Sequence, residues 1–429
     1  MLISIVSLLT VILESARTAG IRYRLELAAN SSMESVFAGY QKELFDRYHL
    51  LFLWKTPKNV KEEMQDYLSY YFEPSKGTIR SGGNFFSMHL ETIDILEVMT
   101  ATDKGGCVFE QEAVDALGYT VVMEQVNSLM EQWESLKEGE TVYQDIHAED
   151  EEVKEFLGNG TDFFEEAEEE EISSGFLEQL ANMVGNMSWN ALILEEGAIS
   201  KKTIELSGLP TREVSRHEDN AGDLLKSCAF TLYIQKYFSC YTVRKNTYSE
   251  NNGLVYEQEY ILNGFSKDID NLKATVGKLL LLREGMNLIY LLNDSKKMAE
   301  AEGLAIFICS LIGLPELTDV LKSFILGVWA YDESVKDMRK LLKGEKVPLI
   351  KNESGTGEGL SYENYLELFL LIHNREAKIY RTMDVVQINV SVNHPGFFLR
   401  DCIYEIELQI TIKDDRKRER VLTWLRNYY

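Results

Sequence analysis

The sequence has 429 residues, of which 45% are hydrophobic and 11% aromatic, and this apolar content excludes an intrinsically disordered protein. Its 44 basic and 69 acidic residues give a net charge of −25, which repels phosphate backbones, so no nucleic-acid partner is expected. Only 6 prolines occur, so helices can run far without a break, and we expect a helix-rich protein.

The cysteines are spread along the chain without any C-x-x-C pair, so the sequence predicts neither a disulfide framework nor a zinc site. We expect small buried thiols at these positions. A disulfide between Cys228 and Cys240 stays open as an alternative in an oxidising compartment. The five cysteines are Cys107, Cys228, Cys240, Cys309 and Cys402.

The start of the chain is unusually apolar. Residues 1–13 carry no charge, and Glu14 and Arg17 follow directly. A transmembrane helix needs about 20 apolar residues, whereas 10 to 14 also suit a buried helix, an interfacial segment or a signal-peptide core. A signal peptide has a basic stretch ahead of its apolar core, but Met1 opens directly onto apolar residues, so we do not expect cleavage. The predicted membrane anchor consists of Leu2, Ile3, Ile5, Val6, Leu8, Leu9, Val11, Ile12 and Leu13.

The helical pattern continues beyond the anchor. Apolar residues recur every three or four positions from Ile21 to Leu51, which predicts one amphipathic helix over residues 1–54, about 80 Å long. Its first part would lie in lipid while the rest packs on a domain, and Glu14 and Arg17 are the predicted contacts with partner helices. An ordinary core helix with an apolar beginning is the alternative.

Residues 55–137 form the first part of the predicted domain. After a short helix and a Gly/Ser-rich loop, a nearly alternating run predicts a strand that ends at a Gly-Gly turn, and helical spacing follows. The predicted elements are the helix 59–74, the loop 75–84, the strand 85–99, the turn 103–106 and the helix 110–137.

Residues 138–172 are an acidic insertion. The stretch from Glu138 to Glu171 contains fifteen acidic residues and one basic residue, Lys154. Such a block cannot bury enough apolar surface to fold, so it predicts a solvated linker. It also lacks the ligand spacing of an EF-hand, which argues against a calcium site.

Two more regions follow the linker. Residues 173–265 predict helices over 176–196 and 218–238, and then a β-hairpin around Asn251-Asn252-Gly253, because Asn-Gly favours tight hairpin turns. The pattern of residues 266–345 predicts an all-helical subdomain. Within it, Gly303–Gly313 is almost wholly apolar but too short to span a bilayer, so we expect a buried helical hairpin.

Residues 346–429 contain a glycine-rich loop, a helix over 362–382 and two alternating runs, 386–392 and 403–412, that predict paired antiparallel strands. The element order therefore predicts an α+β fold. In that fold a long, membrane-proximal N-terminal helix packs on an antiparallel sheet, and a large helical insertion interrupts the domain.

The sequence offers little that carries chemistry. The six histidines are scattered, the glycines of 355–359 lack the Lys and Ser/Thr of a phosphate loop, and no nucleophile elbow occurs. We therefore predict no catalytic residues, no metal site and no cofactor. Arg283-Glu284, which interrupts an apolar helix, is the one charged pair that stands out. It predicts a partly buried ion pair or an interface with the strands, and a binding site is the alternative.

A family resemblance adds to these predictions. The early stretches Glu14–Arg17, Ser35–Tyr40 and Leu44-Phe45 resemble the start of TadE/TadG-like proteins of tight-adherence pili. The closest likeness is to a long group of membrane-anchored proteins from Gram-positive bacteria that has no established activity. Later stretches extend it over most of the chain: Tyr256-Glu257, Glu259-Tyr260, Leu282–Gly285 with Asn287, Ala330-Tyr331, Gly344, Lys346–Leu349, Met383-Asp384, Gln387 and Asn389.

In that group a basic patch and a longer apolar segment precede the anchor. The likeness thus implies either a truncated start or a different initiating Met, and it gives no support for prepilin-type processing.

The resemblance implies a non-enzymatic, single-pass membrane protein that binds other pilus or secretion subunits through its N-terminal helix. It also implies that the main domain lies outside the cytoplasm, although Arg17, Arg22 and Arg24 after the anchor favour the cytoplasmic side by the positive-inside rule. Two alternatives stay open. One is an enzyme or small-molecule-binding domain whose site is assembled from distant residues, and the other is a soluble protein whose first residues are core.

Overall fold

A computed structural model describes most of the chain. The described residues are 2–72, 88–118, 199–213, 224–245, 253–312, 315–349, 351, 359–414 and 416–428. Several predicted features lie wholly or largely outside them. These are the loop 75–84, the acidic segment 138–172, the helix 176–196, most of the helix 110–137, the turn residues Asn251-Asn252 and the glycine-rich loop 355–359.

The described α-helices are α1 (Leu2–Phe37), α2 (Lys42–Tyr48), α3 (Pro57–Phe72), α4 (Cys107–Asp115), α5 (Pro210–Glu213), α6 (Leu224–Tyr237), α7 (Glu257–Asn263), α8 (Asp268–Asn293), α9 (Ser295–Ile312), α10 (Thr318–Leu342), α11 (Tyr362–Ile372) and α12 (Arg375–Asn393). The strands are β1 (Leu53–Trp54), β2 (Met88–Thr100), β3 (Val347–Pro348), β4 (Gly359–Leu360), β5 (Cys402–Asp414) and β6 (Glu419–Arg426).

The chain divides into two compact units. The first unit comprises residues 1–116, 208–219 and 386–429, and the second comprises residues 117–207 and 220–385. In chain order the second unit is therefore an insertion between segments of the first. Its described residues are mainly helical, whereas those of the first unit include the sheet.

The sheet of the first unit is built around β5. This strand pairs antiparallel with β2 along one edge, and with β1 and then β6 along the other. Its side chains alternate between the two faces, as the pleat of a strand requires. The alternation buries the four aliphatic residues Ile406, Leu408, Ile410 and Ile412 on one face.

The long helix α1 covers that apolar face. From Ile21 onward its buried side chains join the core formed by β5, β2 and α3. The spacing of three and four residues along α1 is the reason, because it puts these side chains on one stripe of the helix. The helix contributes Ile21, Leu25, Ala28, Ala29, Met33, Val36 and Phe37 to this core.

The second unit contains three long helices in succession, α8, α9 and α10. Two neighbouring apolar clusters join them, one around Leu288, Ala301 and Ala330 and one around Cys309 and Phe324. The short strands β3 and β4 pair with each other, and Ser361 caps the N-terminus of α11 with its side chain. Helices over 266–345 were predicted, and the structure confirms them.

The predicted α+β fold is confirmed: a long N-terminal helix packs on an antiparallel sheet, and a helical unit is inserted. The prediction of one helix over residues 1–54 is wrong, because α1 ends at Phe37 and α2 begins at Lys42. Gln41 caps the new helix by accepting a hydrogen bond from the backbone N–H of Glu43 at 2.7 Å. The spacing of apolar residues predicted one continuous helix because α2, like α1, buries a stripe of side chains.

Two predicted strands are helices instead. Residues 386–392 lie in α12, where Val386 and Val390 are buried one helical turn apart. Their spacing of four residues also fits the alternation of a strand, and for this reason the sequence pattern predicted one. Residues 403–412 therefore pair with β2 and β6 and not with residues 386–392. The second half of the predicted hairpin over 240–265 is α7, whose residues 257–262 are all buried and therefore show no amphipathic period.

The described part of the apolar stretch Gly303–Gly313, residues 303–312, lies in α9, but the prediction that this stretch is buried is wrong. Ala305 and Cys309 pack against α10, whereas Ile306, Phe307 and Leu311 are 53–70% exposed. One face of the helix is thus sufficient to bind its neighbour.

We expect Ile410→Ala to lower the free energy of unfolding by about 2–5 kcal/mol, because it leaves a cavity at a fully buried site in the central strand. The urea midpoint of the full chain in detergent measures this change. The control is Val421→Ala on β6, where the side chain is 56% exposed and the change should stay within about 0.5 kcal/mol. Equal midpoints for the two variants would contradict the role of β5 as the core strand.

Candidate functional site

The first candidate is the apolar beginning of α1. The helix is long and apolar enough to cross a membrane, a test that a signal sequence near an N-terminus also passes. Leu2 begins the helix. The other eight predicted anchor side chains are 52–85% exposed: Ile3, Ile5, Val6, Leu8, Leu9, Val11, Ile12 and Leu13. A continuous apolar surface of this kind marks a membrane or protein interaction site.

The apolar surface ends where the helix meets the turn between β5 and β6. Glu14 forms an ion pair with Arg416 of that turn and accepts a hydrogen bond from Arg418 at 3.2 Å. One helical turn later, Arg420 donates to the hydroxyl of Thr18 at 3.2 Å. The predicted contact residue Glu14 is therefore paired within its own chain, and Arg17, the other, is only 8% exposed.

Asp414 gives this turn its shape. Its carboxylate accepts hydrogen bonds from the backbone N–H groups of Arg416 and Arg418 and from Nε of Arg418, all between 2.9 and 3.0 Å. Burial raises the pKa of Asp414, but the hydrogen bonds from Arg418 outweigh it and hold that pKa below its ordinary value. The ionised carboxylate thus fixes the two arginines that contact Glu14.

The second candidate is a buried polar cluster around Arg283 on α8. The guanidinium is fully buried, and Nη2 donates to Oδ2 of Asp337 on α10 at 2.7 Å. Nη1 donates to the carbonyls of Pro348 and Leu349, at 2.8 and 2.9 Å, and to the hydroxyl of Tyr365 at 3.1 Å. A single side chain therefore ties together two long helices, the β3 segment and α11.

Other polar groups complete the surroundings of the Asp337 carboxylate. Nδ2 of Asn287 donates to it at 3.1 Å and to the Ser334 hydroxyl at 2.9 Å, while Nζ of Lys351 lies 3.5 Å away. Burial raises the pKa of Asp337, but the bonds from Arg283 lower it below its ordinary value. The pair is ionised and satisfied, as a buried ion pair must be to persist.

The predicted pairing of Arg283 with Glu284 is wrong. Adjacent residues point to different faces of a helix, so Glu284 cannot reach the guanidinium that faces α10. Burial alone raises the pKa of Glu284. The sequence signal was sound for Arg283, but the true partner lies 54 residues away and no local pattern identifies it.

The third candidate is a cluster of buried carboxyls on α7. Glu257 accepts the backbone N–H of Ser239 at 2.6 Å. Oε1 of Glu259 accepts the N–H of Tyr241 at 2.8 Å and the hydroxyl of Tyr362 at 3.0 Å. Oε2 of Glu259 is buried without a hydrogen-bond partner among the described residues. The two carboxyls thus fasten the chain after α6 to α7.

Burial raises the pKa of Glu259 to about 7, against the opposing effect of its hydrogen bonds. It also raises the pKa of the neighbouring Cys240 thiol to about 12, with a further contribution from Glu259. A thiol that stays protonated is a poor nucleophile, so this cysteine suits packing rather than chemistry. All five cysteines are free thiols, and Cys240 is not paired with Cys228.

A similar carboxyl occurs in the first unit. Glu112 on α4 accepts the backbone N–H of Leu51 at 2.8 Å, and burial raises its pKa to about 8. Among the residues that the structure describes, no group of His, Cys, Asp and Glu side chains could hold a metal ion. The buried carboxyls therefore anchor backbone N–H groups, which is a structural role.

Sequence reasoning did not single out Asp337 or Glu112 at all. It noted Glu259 only as part of the resemblance to pilus-associated proteins. Each of these carboxylates finds its partner far along the chain, 103 residues in the case of Glu259 and Tyr362. A signal confined to neighbouring residues could not have found them.

Comparison with known proteins gave one result. A model of the family of unknown function DUF5702 matches residues 166–356 and 352–414, more than half of the chain. The chain belongs to this family. The DUF5702 match includes the clusters around Arg283 and Glu259 and extends through β5, whereas α1 lies outside it. No curated protein and no solved structure matched.

We expect Asp337→Ala to lower the free energy of unfolding by about 3–5 kcal/mol, because it leaves the buried Arg283 charge uncompensated. Chemical denaturation of the full chain measures this change. Asp332→Ala on the same helix is the control, since its side chain is 64% exposed and forms a surface ion pair with Lys336. If both variants unfold at the same midpoint, the buried pair does not hold the helices together.

We also expect stability to fall as the pH rises from about 4.5 to above 7. Glu259 has an ordinary pKa of 4.5 that burial raises to about 7, so the folded state holds a proton that the unfolded state has lost in this range. Glu259→Gln should reduce this pH dependence, which unfolding curves at pH 5 and pH 8 measure. An unchanged dependence would contradict the assignment, and Glu316→Gln, at an exposed carboxyl, is the control.

Proposed function

We propose that this protein is a membrane-anchored structural or assembly component without enzymatic activity, of the kind found among TadE/TadG-like pilus or secretion proteins. The observation that carries the proposal is the exposed apolar surface of Ile3–Leu13, which continues directly into the part of α1 that packs on the sheet. Burying such a surface in lipid contributes about 25 cal/mol per Å². A rigid helix would thus couple the membrane to the domain.

The proposed partners are the membrane and other pilus or secretion subunits, which would pack against the N-terminal helix. The link to pilus proteins rests on the sequence resemblance, since the family match carries no function. The buried carboxyls of Glu259 and Glu112 accept backbone N–H groups, and this arrangement suits a scaffold better than a catalytic site.

The proposed location of the main domain is extracytoplasmic, as the resemblance implies. An opposing consideration is charge: Arg416, Arg418 and Arg420 lie beside the end of the apolar run, together with Arg17. Basic residues close to a membrane-spanning segment favour the cytoplasmic side. Protease treatment of intact cells distinguishes the two orientations, and protection of the domain while the cells remain intact would refute the extracytoplasmic location.

We expect the full chain to remain in membranes washed with alkaline carbonate and to partition into the detergent phase. The double variant Val6→Asp, Leu9→Asp should move it to the soluble fraction, because each carboxylate costs roughly 2.5–3.5 kcal/mol at the centre of a membrane helix. The control is Val421→Asp, at an exposed apolar position on β6. A wild-type protein that washes off as readily as the double variant would contradict membrane anchoring.

A further inference from the structure

A group of basic side chains converges at the C-terminal end of α7 in the second unit. Lys278 comes from α8, His373 from the residue after α11, and Arg381 from α12. Nη1 of Arg381 donates to the carbonyl of Ile261 at 3.0 Å and lies 3.1 Å from Nε2 of His373. Nζ of Lys278 donates to Oδ1 of Asn263 at 2.8 Å.

Gly264 lets the Arg381 guanidinium lie close to the backbone. The residue has a positive φ of +73°, and a Cβ atom there would be 2.7 Å from Nε of Arg381 and 3.0 Å from Cζ. The guanidinium therefore rests against a position that only glycine can occupy without strain. Such a placement fixes its orientation, and a fixed planar fork is the group that binds oxyanions through two hydrogen bonds.

The charges in this group are not balanced. Within the described residues, no carboxylate forms an ion pair with Lys278 or Arg381. The charge of Asp384 acts on Arg381 from nearby, but this carboxylate is fully buried and accepts the hydroxyl of Tyr260 at 2.8 Å. The known contacts use Nη1 of Arg381 and one N–H of Lys278. Nε and Nη2 of Arg381 have no hydrogen-bond acceptor among the described residues.

Neighbouring positive charges lower the pKa of two of these groups. Burial and then the charge of Arg381 lower the pKa of Lys278. Burial, followed by the charges of Arg381, Lys278 and Lys378, lowers the pKa of His373 to about 4. Like charges held together cost free energy, and a bound anion would offset that cost.

Capping of α7 explains part of this arrangement. Positive groups stabilise the carbonyl end of a helix, and Arg381 binds the carbonyl of Ile261 there. A seven-residue helix needs one such partner, whereas three basic groups are present. Exposed apolar residues also lie next to them in the sequence: Phe265 follows Gly264, Leu281 follows Lys278 by one helical turn, and Ile372 precedes His373.

We propose that Arg381, Lys278 and His373 form a binding site for an oxyanion, a phosphate or carboxylate group carried on an apolar molecule. Arg381 would bind two oxygens of the anion through Nε and Nη2, Lys278 would supply a second positive charge, and neutral His373 would orient the guanidinium by accepting a hydrogen bond from Nη1. The apolar rim of Phe265, Leu281 and Ile372 would contact the rest of the ligand.

Titration of the full chain in detergent micelles with inorganic phosphate, phenyl phosphate and benzoate tests the site. We expect saturable binding, tightest for a probe that carries a ring. Both Arg381→Gln and Lys278→Gln should weaken it at least about tenfold, since each removes a charge-assisted hydrogen bond. The side chain of Lys278 is more exposed than that of Arg381, so its variant is expected to fold even if that of Arg381 does not.

The control is Lys273→Gln, which removes the same charge from an exposed position on α8 and should change affinity less than twofold. The pKa of His373, followed by NMR, gives a second measurement. Bound phosphate should raise it, against the effect of the facing cations Arg381, Lys278 and Lys378. Absence of saturable binding by all three probes, or an unchanged His373 pKa at saturation, would overturn the proposal.

The anion could belong to a lipid headgroup or to a soluble organic molecule, and phenyl phosphate binding in nanodiscs distinguishes the two. In phosphatidylcholine nanodiscs, phenyl phosphate should bind as it does in micelles. If phosphatidylglycerol in the nanodisc competes with it, the ligand is a lipid headgroup, and if it does not, the ligand is a soluble organic anion. The site does not depend on membrane anchoring, so the charge variants at Val6 and Leu9 should leave phenyl phosphate binding unchanged.

Discussion

The burial of one face of β5 is the constraint on which the first unit depends. Every other strand in that sheet pairs with β5, and its four alternate aliphatic residues form the floor on which α1 and α3 pack. Because a strand alternates its faces, these residues can be buried together only in this register. The packing of α1 from Ile21 onward follows from this register.

That beginning is separated from the packed part of α1 by a short polar junction. Glu14 and Thr18 face the turn after β5, where Asp414 holds the arginines that contact them. The junction fixes the helix to the last strands of the chain, which are distant in sequence. A surface that is apolar on one side of the junction and packed on the other suits a helix that carries a domain at a membrane.

The second unit depends on buried polar groups to a greater extent than the first unit does. Arg283 links α8, α10 and α11 through one guanidinium, and Glu259 links α7 to the segment after α6 and to α11. Such groups are costly unless every partner is in place, so they define one arrangement of helices more strictly than apolar contacts do. The basic group at Arg381 differs in its charge: two cations lie close together there, and among the described residues Nε and Nη2 of Arg381 have no acceptor, so we expect a ligand at this place.

The fold class, the apolar start, the packed stripe of α1 and the helices over 266–345 could be predicted from the sequence, because each depends on the spacing of nearby residues. It misplaced the strand at Val386–Val392 and the hairpin after Cys240, since a spacing of four also fits alternation and a fully buried helix shows no period. Folding alone brings Arg283 to Asp337 and places Lys278 within the electrostatic reach of Arg381. These contacts join residues about 50 to 100 positions apart, and the free energy that selects them comes from burial in the folded chain.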